Sequence, residues 1–123
     1  IERIPLYERV GSHDSDYWYD LSDEECRAVK VSASGWSIVS APPILFRRYT
    51  HQKPQVLPKQ GGRMELIFEF INVKRHQLLF QCWLVSCFAT GFPHPMPIFY
   101  GEKGAAKSTA CVLLKRLIDP SAY

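Results

Sequence analysis

The sequence predicts an α/β or α+β protein in which a β-rich N-terminal zone precedes helices, and three observations support this. Residues 1–49 contain short runs of large side chains separated by polar turns. Residues 50–62 contain two prolines and two glycines with few apolar groups, as linkers do. Residues 63–123 change to helical periodicity and contain a glycine loop between an apolar run and a helix. These are the three predicted units of the chain.

The β-rich zone is predicted to hold five short strands. The first two are separated by a polar turn over residues 11–15, and a hairpin is expected around Ser34 and Gly35. Pro42 and Pro43 end that hairpin unit, and a further strand follows it. The predicted strands span residues 6–10, 17–21, 27–32, 36–40 and 44–49.

Two helical segments are predicted before the glycine loop. Residues 64–73 have helical or mixed character, and residues 75–90 form a helix that is apolar nearly all round. Such a helix is usually buried, so Cys82 and Cys87 are expected to be buried thiols. Gly91 supplies a C-terminal cap, before a Pro-His-Pro break at residues 93–95.

The glycine loop is the segment in which sequence predicts chemistry most directly. Residues 97–100 are an apolar run expected to form a buried strand, and residues 108–118 carry an apolar stripe of helical period. The segment between them has the form G-x-x-x-x-G-K-[ST], with alanine in place of the second glycine. Its residues are Gly101, Glu102, Lys103, Gly104, Ala105, Ala106, Lys107, Ser108 and Thr109.

A strand, a glycine loop and a helix in this order are typical of a phosphate site. Backbone N–H groups of the loop and of the first helical turn point at the phosphates, whose charge the helix N-terminus favours. Lys107 is expected to reach the β- and γ-phosphate oxygens, and the Ser108 hydroxyl to ligate Mg²⁺. The predicted cofactors are therefore ATP and Mg²⁺. An ordinary strand–turn–helix unit is the alternative.

Charge is unevenly distributed along the chain, whose net charge is +3. Residues 1–25 carry eight acids and two bases, whereas residues 26–64 carry seven bases and no acid. Basic residues interleaved with aromatic ones are typical of a surface that follows a nucleic-acid backbone. The candidate contacts are Arg47, Arg48 and Lys53. The alternative is a solvated face beside the acidic N-terminal segment.

The composition argues against a zinc site, a membrane-spanning segment and secretion. The four cysteines form no C-x-x-C pair and the four histidines are scattered, which argues against a zinc site. The acids at positions 20 and 23–25 are interpreted as a solvated loop. The apolar stretch 78–92 is too short to span a bilayer, and no signal peptide opens the chain. We therefore expect a cytoplasmic protein without a membrane segment.

Several of these motifs together resemble a known family. They are the Gly-Trp-Ser-Ile-Val run at 35–39, the segment 42–48, the apolar helix, residues 97–109 and the closing segment 117–121. In this order they are similar to the start of the P-loop ATPase module in plasmid- and phage-type primase–helicase proteins of bacteria and archaea. In that family a Gly-Glu-x-Gly-Ser-Ala-Lys-Ser-Thr loop is familiar, so alanine before the lysine is common there.

The resemblance implies a helicase-type NTPase that is related to AAA+ proteins, acts on single- or double-stranded DNA and forms homo-oligomers in the full-length protein. Lys107 and Ser108 take the nucleotide roles by position. No later strand ending in an acidic residue follows, so we expect the N-terminal fragment of a nucleic-acid-linked ATPase that alone hydrolyses ATP poorly or not at all. The alternatives are a non-catalytic phosphate- or nucleotide-binding module, and a nucleic-acid or protein interaction module with an accidental P-loop-like turn.

Overall fold

The computed structural model describes residues 1–104 and 106–122, and its architecture is α+β. A four-stranded antiparallel sheet is followed by a 3₁₀ helix and two α-helices, so the coarse fold class is confirmed. The strands are β1 Leu6–Tyr7, β2 Val10–His13, β3 Asp16–Asp20, β4 Arg27–Ser32, β5 Gly35–Ser40 and β6 Leu45–Phe46. The helices are the 3₁₀ helix Met64–Glu69, α1 Gln77–Ser86 and α2 Lys107–Ile118.

The sheet is a meander in which β2, β3, β4 and β5 lie side by side in chain order. Asp14 and Ser15 form the first turn with φ of 49° and 66°, so the loop expected at 11–15 shrinks to two left-handed residues. Two consecutive residues of positive φ match the right-handed twist of a hairpin. The hairpin between β4 and β5 is confirmed, but Ser32 pairs with Gly35, so the turn is at residues 33–34 and Gly35 already belongs to β5. Separately, β1 and β6 make a two-residue parallel pair.

Two apolar clusters form the interior. The first lies between the sheet and the chain around β6, and its buried members are Trp18, Ala28 and Ile44. The second lies among the helices, with Ile71, Leu84, Ala110 and Leu114 buried. The rings of Tyr19 and Phe88, with centroids 5.4 Å apart, connect the sheet to the helical half.

Helix α1 confirms the predicted helix but not its burial. Leu84 is buried, whereas Leu78 and Leu79 are 74% and 69% exposed. The expectation of two buried thiols is also wrong, because Cys82 is exposed and Cys87 only half-buried. Burial still raises the pKa of the Cys87 thiol. The described residues offer α1 one packing surface, so only one stripe of the helix becomes buried.

The strand expected at residues 97–100 does not form. Three prolines, at 93, 95 and 97, remove donors for a hydrogen-bond ladder, and no described strand lies parallel to this segment. Phe99 nevertheless packs against the helical cluster. The segment before the loop is thus anchored by a side chain and not by a sheet.

The segment predicted as a linker is partly paired. Lys53 N–H donates to Pro120 O at 2.9 Å, Ala122 N–H donates to His51 O at 2.7 Å, and Gln52 forms a β-bridge with Ser121. Residues 51–53 and 120–122 therefore form a short antiparallel contact. It brings the end of α2 beside the sheet.

Candidate functional site

Two residues of the glycine loop that precede α2 have left-handed backbone conformations. Gly104 has φ of +88° and Ala106, immediately before the helix, has φ of +56°. Glycine adopts such angles freely, whereas alanine there costs roughly 1 kcal/mol. Ala105 belongs to the predicted site but lies outside the described residues.

Lys107 is folded back across this loop. Its Nζ donates to Gly101 O at 2.8 Å and to Glu102 O at 2.7 Å. The first residue of α2 thus places an ammonium group among carbonyls from the start of the loop. The bond to Gly101 O closes a ring of seven residues, from Gly101 to Lys107, and keeps the ammonium group beside the carbonyls at the start of the loop.

The N-terminus of α2 is uncapped among the described residues. Ala106 provides no side-chain cap, and the first turn contains no acid. A helix N-terminus carries about half a positive charge and four N–H groups without intrahelical partners. Lysine is therefore an unfavourable first residue unless an anion is bound nearby. This end of α2 has the charge and the donors that an anion requires.

The two hydroxyl residues of the motif lie beside this charge. Ser108 and Thr109 are both exposed in the first turn of α2. Ala110 and Leu114 are buried on the opposite side of the helix, against Ile71 and Leu84. The hydroxyl groups face away from the core because the helix period places its apolar stripe elsewhere.

The three predicted nucleic-acid contacts have different environments. Arg48 donates from Nη2 to Asp20 Oδ1 at 2.8 Å, from Nε to Asp20 Oδ2 at 3.2 Å, and from Nη1 to Asp23 O at 2.7 Å. Hydrogen bonding to buried Asp20 raises the pKa of Arg48. This guanidinium is used inside the chain, because Asp20 is 1% exposed and needs a cation.

Arg47 and Lys53 are exposed, as Arg48 is, but neither has an ion pair among the interactions of the described residues. The Arg47 guanidinium lies 4.8 Å from the centroid of the Tyr49 ring, and the residue is exposed. Lys53 is exposed too, although its backbone is held between Pro120 and Arg9. The structure therefore gives the adjacent residues Arg47 and Arg48 different partners: Arg47 lies over a tyrosine ring, whereas Arg48, with a side chain 35% exposed, is paired with the buried Asp20.

The sequence patterns did not reveal the junction at the other end of α2. Arg9 is 5% exposed and donates to Asp119 Oδ1 at 2.9 Å, to Pro120 O at 3.0 Å, to Lys53 O at 2.9 Å and to Asp20 O at 3.2 Å. No local signal identifies such a residue, because its partners lie 11 to 111 positions away.

Two further side chains complete this junction. Tyr19 Oη donates to Ile118 O at 2.7 Å, and Gln55 Nε2 donates to Leu117 O at 2.8 Å. The last carbonyls of α2 have no intrahelical partners. Tyr19 from β3 and Gln55 from the segment 50–62 donate the hydrogen bonds that they need. Burial raises the pKa of Tyr19, although the hydrogen bond from Gln55 opposes the effect.

Two further kinds of site concern the described residues: metal-binding clusters and membrane-spanning helices. Within residues 1–104 and 106–122, no group of three or more His, Cys, Asp or Glu side chains is arranged to hold a metal ion. No helix in that same part of the chain is long and apolar enough to cross a bilayer. Any Mg²⁺ at Ser108 would therefore take most of its ligands from phosphates and water.

No family model, curated protein or solved structure matches this chain. The resemblance to primase–helicase ATPase modules stays a prediction from the motifs.

Proposed function

We propose that residues 101–109 bind the phosphates of ATP with Mg²⁺, and that the chain belongs to a nucleic-acid-linked P-loop ATPase. The observation that carries this proposal is the Lys107 ammonium, held by Gly101 O and Glu102 O in front of an uncapped helix. The motif and this contact concern the same residues but are independent observations.

The energetics of the loop favour an anion. A cation and a helix N-terminus repel each other, by roughly 0.3–1 kcal/mol at a surface site. The carbonyls of Gly101 and Glu102 offset part of this repulsion. Phosphate oxygens accept stronger, charge-assisted bonds than carbonyls do, so Lys107 gains by exchanging partners. The same phosphates accept bonds from the free N–H groups of α2.

Binding without rapid hydrolysis is the expected behaviour of this chain. Phosphoryl transfer to water needs a group that orients the water and a carboxylate that supports Mg²⁺. In P-loop proteins these come from strands beside the loop, and the described residues form no such strand next to segment 97–100. Ser108 supplies one oxygen ligand, and bound Mg²⁺ neutralises phosphate charge.

Titration with a fluorescent ATP analogue in the presence of Mg²⁺ tests the proposal. Lys107→Ala should weaken binding at least tenfold, which corresponds to about 1.4 kcal/mol. Ser108→Ala should weaken binding in Mg²⁺ but have little effect in EDTA. Arg116→Ala is the matched control, because it removes one positive charge from the other end of α2.

Equal affinity of the wild-type chain and Lys107→Ala would overturn the proposal. So would a loss of affinity in Arg116→Ala as large as that in Lys107→Ala, because it would indicate attraction by net charge alone. Steady-state ATP turnover by this chain, abolished in Lys107→Ala, would contradict binding without hydrolysis.

Nucleic-acid binding is the second function that we propose, and the exposed Arg47, whose guanidinium lies over the half-buried Tyr49 ring, favours it. A guanidinium over an aromatic ring presents both a phosphate ligand and a stacking surface. We expect salt-dependent affinity for single-stranded DNA that falls in Arg47→Glu. Thr50→Glu, an exposed neighbour of lower predicted effect, is the control. Unchanged affinity in Arg47→Glu would exclude this surface.

A further inference from the structure

The free edge of the sheet is the surface from which we draw a further inference. Strand β5 is hydrogen-bonded to β4 along one side, and no described strand covers its other side. The opposite edge strand, β2, is covered: Tyr7 Oη donates to Ser12 O at 3.1 Å, and Tyr7 and Ile44 pack against Gly11. The β2 edge of the sheet is therefore covered by other residues, whereas the β5 edge has no described strand paired with it.

Strand β5 lacks the devices that prevent edge-to-edge pairing. Exposed edges are usually protected by charged side chains, proline or a bulge. β5 has the sequence Gly-Trp-Ser-Ile-Val-Ser and pairs with β4 without interruption from Arg27–Ser40 to Ser32–Gly35. Residues 31–46 contain no charged side chain at all. Two copies can approach along this edge without bringing like charges together, despite a net charge of +3.

One face of the sheet next to this edge is apolar. Cross-strand pairing places Tyr17 opposite Val31 and Val31 opposite Trp36, so these three residues share a face. A second row on the same face joins Tyr19, Val29 and Ile38. Tyr17, Val31 and Ile38 remain 37%, 43% and 37% exposed. The apolar surface thus reaches the unpaired edge.

The sequence of β5 is self-complementary in one antiparallel register. A two-fold axis perpendicular to the sheet at Ser37 brings Trp36 of one copy opposite Ile38 of the other, twice. Aromatic and β-branched residues are a favourable cross-strand pair. Isologous contacts of this kind are those of cyclic dimers. The exposed apolar face would then continue across the axis.

We propose that β5 pairs antiparallel with β5 of a second copy, with Ser37 on the two-fold axis, to form one eight-stranded sheet. The proposal does not depend on nucleotide binding, because α2 and its loop are not part of this edge. One six-residue strand buries a small area, so we expect a weak dimer with Kd on the order of 10 µM.

Sedimentation velocity over about 1 to 500 µM, a range that brackets the expected Kd, tests this pairing. Ser37→Asp should raise Kd at least tenfold, because two carboxylates meet on the axis. The fold should survive, since Ser37 lies opposite Lys30 within the chain. Ser40→Asp is the matched control: it lies opposite Arg27 in β4 and opposite Ser34 of the other copy.

Mixing charge variants tests the register itself. Ser37→Lys alone should also dissociate, whereas an equimolar mixture of Ser37→Lys and Ser37→Asp should form a heterodimer at least as tight as the wild-type dimer. Leu79→Lys, on the exposed stripe of α1, should leave the dimer unchanged. A wild-type chain that stays monomeric over the whole range overturns the proposal. So does a dimer that survives Ser37→Asp, or one that Leu79→Lys abolishes.

Discussion

The two ends of α2 have different environments. At its C-terminus, Tyr19 and Gln55 cap the last carbonyls, and Arg9 binds Asp119 and Pro120. At its N-terminus no described side chain caps the helix, and a lysine stands where an acid would be favourable. Unsatisfied polar groups are costly when buried, so proteins leave them where water or a ligand can reach them. The contrast therefore indicates that the C-terminal end is structural and the N-terminal end is available for binding.

Removing Arg9 should break the structural end most severely. Arg9→Ala removes four hydrogen bonds at once, although Pro120 O keeps the Lys53 N–H and Asp119 keeps the Lys115 ammonium as donors. We expect a loss of roughly 3 kcal/mol in the free energy of unfolding. Urea denaturation measures it. Arg3→Ala, an exposed arginine near the N-terminus, is the control and should change stability by less than about 0.5 kcal/mol. A loss below about 1 kcal/mol would contradict the assigned role of Arg9.

Tyr19→Phe should weaken the same end by about 1 kcal/mol, the value of one hydrogen bond. Its hydroxyl donates to Ile118 O and accepts from Gln55. Tyr7→Phe, which removes a bond within the sheet half, is the comparison. If α2 is held at this end, hydrogen exchange near Ile118 should accelerate in Tyr19→Phe and not in Tyr7→Phe.

The raised pKa of Tyr19 also gives the wild-type chain a pH dependence. Burial, the largest cause, disfavours the phenolate, so the folded state holds this proton more tightly than the unfolded state. The stabilisation is complete below the unfolded pKa of about 10 and is lost as pH rises through the folded pKa. Wild-type stability should therefore fall above pH ~10 more steeply than that of Tyr19→Phe. Parallel curves would exclude Tyr19 as the cause.

Ala106→Gly should stabilise the binding end by roughly 0.5 kcal/mol, because glycine accepts the positive φ that costs alanine energy. Ala110→Gly, in the buried interior of the same helix, should destabilise instead. Thermal unfolding of both variants gives the comparison. Destabilisation by Ala106→Gly would argue against the left-handed conformation at this residue.

Thr109→Glu should change stability least among these variants, and it should change stability and ATP affinity in opposite directions. An acid in the first turn of α2 complements the helix dipole and should add about 0.3–0.5 kcal/mol to the free energy of unfolding. The same carboxylate repels phosphates, so affinity for Mg²⁺ and ATP should fall. Thr109→Gln is the neutral control. A variant that is stabilised but binds ATP normally would place the phosphate site elsewhere.

Local signals predicted most of the elements but not how they pack. The strand predicted at 27–32 matches β4, and the helix predicted at 108–118 matches α2 to within one residue. Alternation and helical periodicity indicate which face of a segment is buried. Both patterns depend only on residues that are close together in the sequence. The predicted strand at 97–100 failed, because a strand needs a partner and proline removes the donors that would pair with one.

The candidate site divides in the same way. The motif predicts Lys107, Ser108 and the glycines as a phosphate site, because such a loop is one contiguous piece of chain, and this assignment stays a prediction. The adjacent residues Arg47 and Arg48 were indistinguishable in the sequence, yet the structure directs one to solvent and the other to Asp20. That choice depends on a carboxylate 28 positions away in the chain.

By itself the sequence determined the strand and helix periodicities, the hairpin between β4 and β5 and the order of residues in the loop, all of which depend on neighbours along the chain. Tertiary structure alone decided that Arg9 and Tyr19 hold the end of α2, that β5 is left as an open edge and that Lys107 bends onto Gly101 and Glu102. Buried polar groups need hydrogen-bond partners, and the fold supplies these from residues that are distant in the sequence. No local sequence pattern therefore identifies the partners.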